Sequence, residues 1–89
     1  MTQTINFKSA KKVSEVLTPT DEIIDLASFV NLLEHKGCQL IDLETLADVP
    51  VWRLKRMFSS YQAPLRVIVD TLDQLYPRLV VVETETAGN

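Results

Sequence analysis

The tripeptide Asp48-Val49-Pro50 interrupts two short stretches of helical spacing, and no other feature of the chain restricts its folding as tightly. Proline lacks an N–H and fixes φ, so it ends a preceding helix and suits the first turn of a following one. Asp42 can cap a helix over residues 43–47 by accepting a hydrogen bond from a free N–H of its first turn. Pro50 then opens a second helix, Val51-Trp52-Arg53-Leu54-Lys55-Arg56-Met57-Phe58. The spacing predicts two short helices joined by a tight turn over about residues 42–60.

Upstream, Thr18-Pro19-Thr20-Asp21 reads as a helix start, with Thr18 as cap, Pro19 in the first helical position and Asp21 near the positive helix end. Ile23, Leu26, Ala27, Val30 and Leu33 then recur at three- and four-residue spacing, with Ile24, Phe29 and Leu32 widening the apolar face. Lys36-Gly37 closes this core helix near His35, and Cys38 reads as a small buried filler beside its end. Before it, Thr4-Ile5-Asn6-Phe7 alternates as a short strand or an untied terminus would, and Ser9 offers a cap for a short helix over residues 10–17. Residues 59–64 form a polar loop, and Leu65, Ile68, Val69, Leu72 and Leu75 mark an amphipathic helix ending before Pro77. Leu79, Val80, Val81 and Val82 read as a strand.

These elements predict a mainly α fold: four to five short helices with a central helix-turn-helix, a C-terminal strand and, on one reading of residues 4–7, a short N-terminal strand. At 89 residues the chain has room for one core. It is divided into an N-terminal extension (1–17), a helical core (21–76), a strand (78–83) and a frayed tail (84–89). An unpaired apolar strand would aggregate, so residues 79–82 need a partner. That partner is either residues 4–7 of the same chain or the same strand of a second subunit. The second is preferred, because a two-fold dimer sets two recognition helices about one DNA turn, ~34 Å, apart.

Several function classes are set aside. With Cys38 alone, neither an intramolecular disulfide nor a Cys-rich zinc site can form, and no metal or cofactor is expected. Asp42, Glu44 and Asp48 lack an accompanying nucleophile, glycine-rich phosphate loop or general-base histidine, so the chain is not expected to be an enzyme. No run approaches the ~20 apolar residues that span a bilayer, and residues 1–8 do not read as an export leader, so a cytoplasmic protein is expected. A net charge of −3 argues against coating nucleic acid non-specifically, but Arg53, Lys55 and Arg56 form a local basic element.

At Leu43-Glu44-Thr45-Leu46-Ala47-Asp48-Val49-Pro50 the chain resembles the lambda-repressor-like, Cro-type helix-turn-helix family, over about residues 21–76. Leu54 stands at that family's buried aliphatic position and Pro64 at the proline that often opens its next helix. Glu44, Asp48 and Pro50 depart from the family's alanine, turn glycine and Ser/Thr cap. Leu54-x-Arg56-x-Phe58 more faintly resembles the AraC-type motif. The first resemblance implies that Val51, Trp52, Arg53 and Arg56 face base edges and that Gln39, Lys55, Ser59, Ser60, Tyr61 and Gln62 lie near phosphates. Trp52 also suits packing or a partner interface. The implied function is a dimeric repressor of a palindromic operator in double-stranded DNA, of phage type or an autoregulating antitoxin with a toxin partner. The alternative is a protein-interaction adaptor or inhibitor that does not bind DNA.

Overall fold

In the computed structural model the chain is described over residues 3–86, and its side chains over residues 10–84. The element order is β1 (Gln3–Lys11), α1 (Val13–Val16), β2 (Ile23–Asp25), α2 (Leu26–His35), β3 (Cys38–Asp42), β4 (Ala47–Asp48), α3 (Val51–Met57), β5 (Gln62–Pro64), α4 (Leu65–Leu75) and β6 (Leu79–Thr86). This is a small α/β architecture rather than a mainly α one. A four-stranded antiparallel sheet runs β1-β6-β3-β4, and a second, two-stranded sheet pairs β2 with β5.

The core lies between the large sheet and the helices. Leu40, Leu79 and Val81 from the sheet meet Val13 of α1, Leu26, Phe29 and Leu33 of α2, Leu54 of α3, and Leu65, Ile68, Val69 and Leu72 of α4. Fully burying each such side chain contributes about 1.5–3 kcal/mol. Ile41 and Val82 are also fully buried, and strand alternation turns them to the opposite face of the sheet.

The two-stranded sheet aligns the starts of α2 and α4. Leu26 N donates to Tyr61 O at 3.0 Å and Leu65 N donates to Glu22 O at 2.9 Å, so the residue preceding each miniature strand supplies a carbonyl to the free first turn of the helix that follows the other strand. α2 is also capped by its own sequence, through the Asp25 carboxylate accepting from Ser28 N at 2.7 Å. That hydrogen bond holds the Asp25 carboxyl below its ordinary pKa. The core helix therefore starts at Leu26, five residues beyond the expected Asp21. Thr18, Pro19 and Asp21 are not helical, and Asp21 instead accepts from Arg66 Nε at 2.9 Å on the surface. Ile23 and Ile24 are strand residues because pairing with Pro64 and Ala63 outweighs a weak local helix preference.

The other end of α2 follows its sequence. Gly37 adopts φ 72° and its N–H donates to Glu34 O at 2.9 Å, an arrangement that glycine accommodates without strain. α4 and β6 also begin at the expected residues, and β6 runs on to Thr86. The frayed tail expected over residues 84–89 is thus strand as far as Thr86, while residues 87–89 lie outside the described part. At the N-terminus, the helix expected over residues 10–17 is reduced to one turn, because β1 continues through Lys11. No described helix is long and apolar enough to cross a membrane.

The largest correction concerns the first helix of the expected helix-turn-helix. Residues 43–46 form a turn, and Asp42 and Ile41 pair with Ala47 and Asp48 in a tight hairpin of β3 and β4. The Asp42 carboxylate accepts from Glu44 N at 2.8 Å and its carbonyl from Leu46 N at 2.7 Å, while Leu46 takes up φ 57°. A five-residue helix has too few internal hydrogen bonds to offset the cost of its nucleus. The preceding residues meanwhile gain ladder bonds to β6, with Leu40 opposite Val81 and Asp42 opposite Leu79. The bihelical motif is therefore absent, and α3 follows a β-hairpin.

Candidate nucleic-acid interface

α3 is two turns long and starts at Pro50, whose carbonyl accepts from both Arg53 N and Leu54 N. Leu54 is fully buried, and Val51, Met57 and Phe58 pack half-buried against the core. The side chains between them have two different fates.

Arg53 turns sideways. Its Nη2 donates to Asp42 Oδ2 at 2.6 Å, and its side chain is only 25% exposed. The Asp42 carboxylate is 1% exposed and also lies 3.6 Å from Arg78 Nε, while Arg78 pairs with Glu44. Burial works against the charge on Asp42. The hydrogen bonds from Arg53 and Glu44 N, with the charges of Arg53 and Arg78, outweigh it and lower its pKa from the ordinary value. Arg53 therefore holds the turn after β3 against α3 and does not project outward.

Trp52, Lys55 and Arg56 do project. Trp52 is 60% exposed, and the Arg56 guanidinium lies over its ring at 5.1 Å from the centroid, four residues on. Lys55 Nζ sits 5.0 Å from the centre of the Tyr61 ring, which is 64% exposed. Among the described residues neither cation has a carboxylate within 4.0 Å, whereas Arg53, Arg66 and Arg78 are all ion-paired. The result is a surface of two rings, each covered by a cation outside the described ion pairs, with the charge of Lys55 near enough to Asp25 to help lower that carboxyl's pKa.

The remaining expected contacts are dispersed. Ser59, Ser60 and Gln62 are exposed beside Tyr61, with Ser60 Oγ accepting from Gln62 N at 3.3 Å. Gln39 lies in β3 and its Nε2 donates to Asp48 Oδ1 at 2.7 Å, while its buried Oε1 has no hydrogen-bond partner among the described residues. Val51 is half-buried, which limits its reach. Leu79, Val81 and Val82 are buried within their own chain, and β6 lies between β1 and β3, so its pairing requirement is met internally.

The sequence did not disclose that Arg53 and Arg78 converge on Asp42. Asp42 is expected from the sequence only as the cap of a helix over residues 43–47, and Arg78 is not singled out there. Comparison with known proteins adds no assignment: no family model, curated protein or solved structure matches the chain.

Proposed function

We propose that the protein is a DNA-binding regulator that presents α3 and the following loop to duplex DNA. The observation that carries this reading is the pair of cations outside the described ion pairs, Lys55 and Arg56, stacked on the exposed rings of Tyr61 and Trp52. On a chain of net charge −3 this is a local attraction for a polyanion, and it limits non-specific binding elsewhere. Arg56 is the side chain suited to a bidentate guanine contact, with Trp52 beside it in the groove. Lys55, Ser59, Ser60, Tyr61 and Gln62 act on phosphates and set the register. Arg53 supports α3 from behind rather than reading bases.

A second reading, a protein-binding adaptor, is favoured by a different observation. Leu43 and Leu46, in the turn that Asp42 and Arg53 fasten to α3, are 42% and 60% exposed. They add exposed apolar surface to Trp52, a residue type enriched at interaction hot spots. Selection of duplexes from a random pool at near-physiological salt separates the two. Enrichment of a defined sequence, lost in Arg56→Ala, supports DNA binding. An unenriched pool refutes it and leaves the adaptor reading, while retention of single strands alone would indicate base stacking in place of groove reading.

A further inference from the structure

The large sheet ends on one side in β4, two residues long, and on the other in β1, nine residues long. A two-residue edge offers little to another strand, whereas a long edge presents a row of free main-chain N–H and C=O groups. β1 is regular only over residues 3–6, which pair one for one with residues 83–86. Between Asn6 and Lys11 the register shifts, five residues on β1 passing two on β6. The β3–β6 ladder ends at the pair Cys38 and Glu83, with one further bond from Thr84 N to Gly37 O at 2.9 Å, so beyond it the sheet narrows to a ribbon of residues 3–5 and 84–86. Ribbons of two strands are marginally stable in water unless a further strand or a packed face supports them.

We propose that the outer edge of residues 3–6 pairs with the same edge of a second copy of this chain, antiparallel about a two-fold axis. Gln3-Thr4-Ile5-Asn6 carries no charge, so self-pairing brings no like charges into opposition. The lysines begin at Lys8, beyond the regular segment, and the register shift ends the straight edge where they start. Shift and lysines together admit a short strand and reject a longer one. Pairing of this kind uses the free edge of both copies and closes on itself, leaving nothing to propagate into a fibre. It moves the dimer contact from residues 79–82, which are interior, to the one long edge of the described sheet. It does not depend on what α3 contacts.

Sedimentation velocity of the full chain from micromolar to hundreds of micromolar tests the proposal. A concentration-dependent dimer is expected, and a monomer throughout overturns it. The double variant Thr4→Lys/Ile5→Lys places an ammonium at position 4 opposite Glu85 of its own chain, which keeps β1 on β6. A two-fold axis normal to the sheet sets a residue opposite its own copy, position 4 or position 5 when the axis passes through the middle of the segment, so an introduced ammonium faces its like across the axis and the two repel. Dimer affinity should fall roughly tenfold with the circular dichroism spectrum unchanged; undiminished dimerisation overturns the assignment of the edge. Should that variant fail to fold, amide exchange of residues 3–6 in the unaltered chain gives an independent reading. Protection that rises with protein concentration supports the pairing. Protection independent of concentration means that the chain covers its own edge, and overturns it.

Discussion

Asp42, the last residue of β3, and Arg53, in the middle of α3, are joined by a 2.6 Å hydrogen-bonded ion pair whose carboxylate is almost wholly buried. A carboxylate taken out of water is tolerated only when paired and hydrogen-bonded, and Asp42 has Arg53, Glu44 N and the nearby Arg78. The pair explains why Arg53, the first cation of α3, is turned toward the sheet instead of outward with Trp52 and Arg56. It also fixes the turn of residues 43–46 beside the helix that carries Trp52 and Arg56.

Removing one partner leaves the other charge buried. Arg53→Ala should lower unfolding free energy by roughly 2–3 kcal/mol, toward the lower end for a buried pair because Arg53 is partly exposed and Arg78 remains. Arg56→Ala should cost less than about 1 kcal/mol, the scale of an exposed cation–π contact. Urea denaturation of both variants checks the contrast, and equal losses would mean that Asp42 does not depend on Arg53.

Binding should show the opposite ranking. Arg56→Ala should lose about 1–3 kcal/mol of discrimination against the wrong base, whereas Lys55→Ala should weaken all duplexes alike and lower the salt slope by about 1. Fluorescence anisotropy with selected and scrambled duplexes across a salt series measures both effects. A Lys55→Ala variant that altered sequence preference would reverse the two assigned roles.

Acid should destabilise the fold through Asp42 and Asp25. Asp42 is held low against the cost of its burial by Arg53 and Glu44 N, and Asp25 is held low by the N–H of Ser28. Each has a lower pKa folded than unfolded, so the unfolded chain binds more protons in that window and stability rises with pH across it. The contribution is complete above the ordinary carboxylate range, near pH ~4, and is lost as pH falls through the lowered values. Thermal melts from neutral to acid pH should show a shallower decline for Asp42→Asn than for the unaltered chain, from a lower starting stability.

Two positions with positive φ should respond in opposite directions. A Cβ on Gly37 would meet nothing within 4 Å, so Gly37→Ala carries only the backbone penalty, about 1 kcal/mol or somewhat more. Leu46 already bears that penalty at φ 57° with an exposed side chain. Leu46→Asn should therefore be neutral or stabilising by roughly 0.5–1 kcal/mol, since asparagine tolerates this region better. Chemical denaturation decides, and destabilisation by Leu46→Asn would show that the leucine makes a contact of value.

How much of this was legible in advance depended on sequence separation. The spacing of Leu65, Ile68, Val69 and Leu72, the Gly37 stop and the placement of Pro50 ahead of Leu54 each specify a local conformation, and α4, the end of α2 and the start of α3 follow them. Trp52, Lys55 and Arg56 stand out from the same short-range pattern because a helix turns them away from its buried side.

Strand identity was settled by partners distant in the chain. Residues 43–47 follow a potential helix cap, Asp42, yet Leu40 and Ile41 are drawn into register with Val81 and Val80, and a hairpin results. The same holds for Ile23 and Ile24, committed to β2 by residues 63 and 64, and for β1, extended by β6 into a predicted helix. The fate of Arg53 belongs with these. By itself the sequence determined the conformations of α4, the end of α2 and the start of α3, and the exposure of Trp52 and Arg56, because caps, proline and helical spacing act within a turn or two. Tertiary structure alone decided which arginine faces solvent and which is spent on a buried acid, because that depends on where β3 leaves Asp42 when the sheet closes.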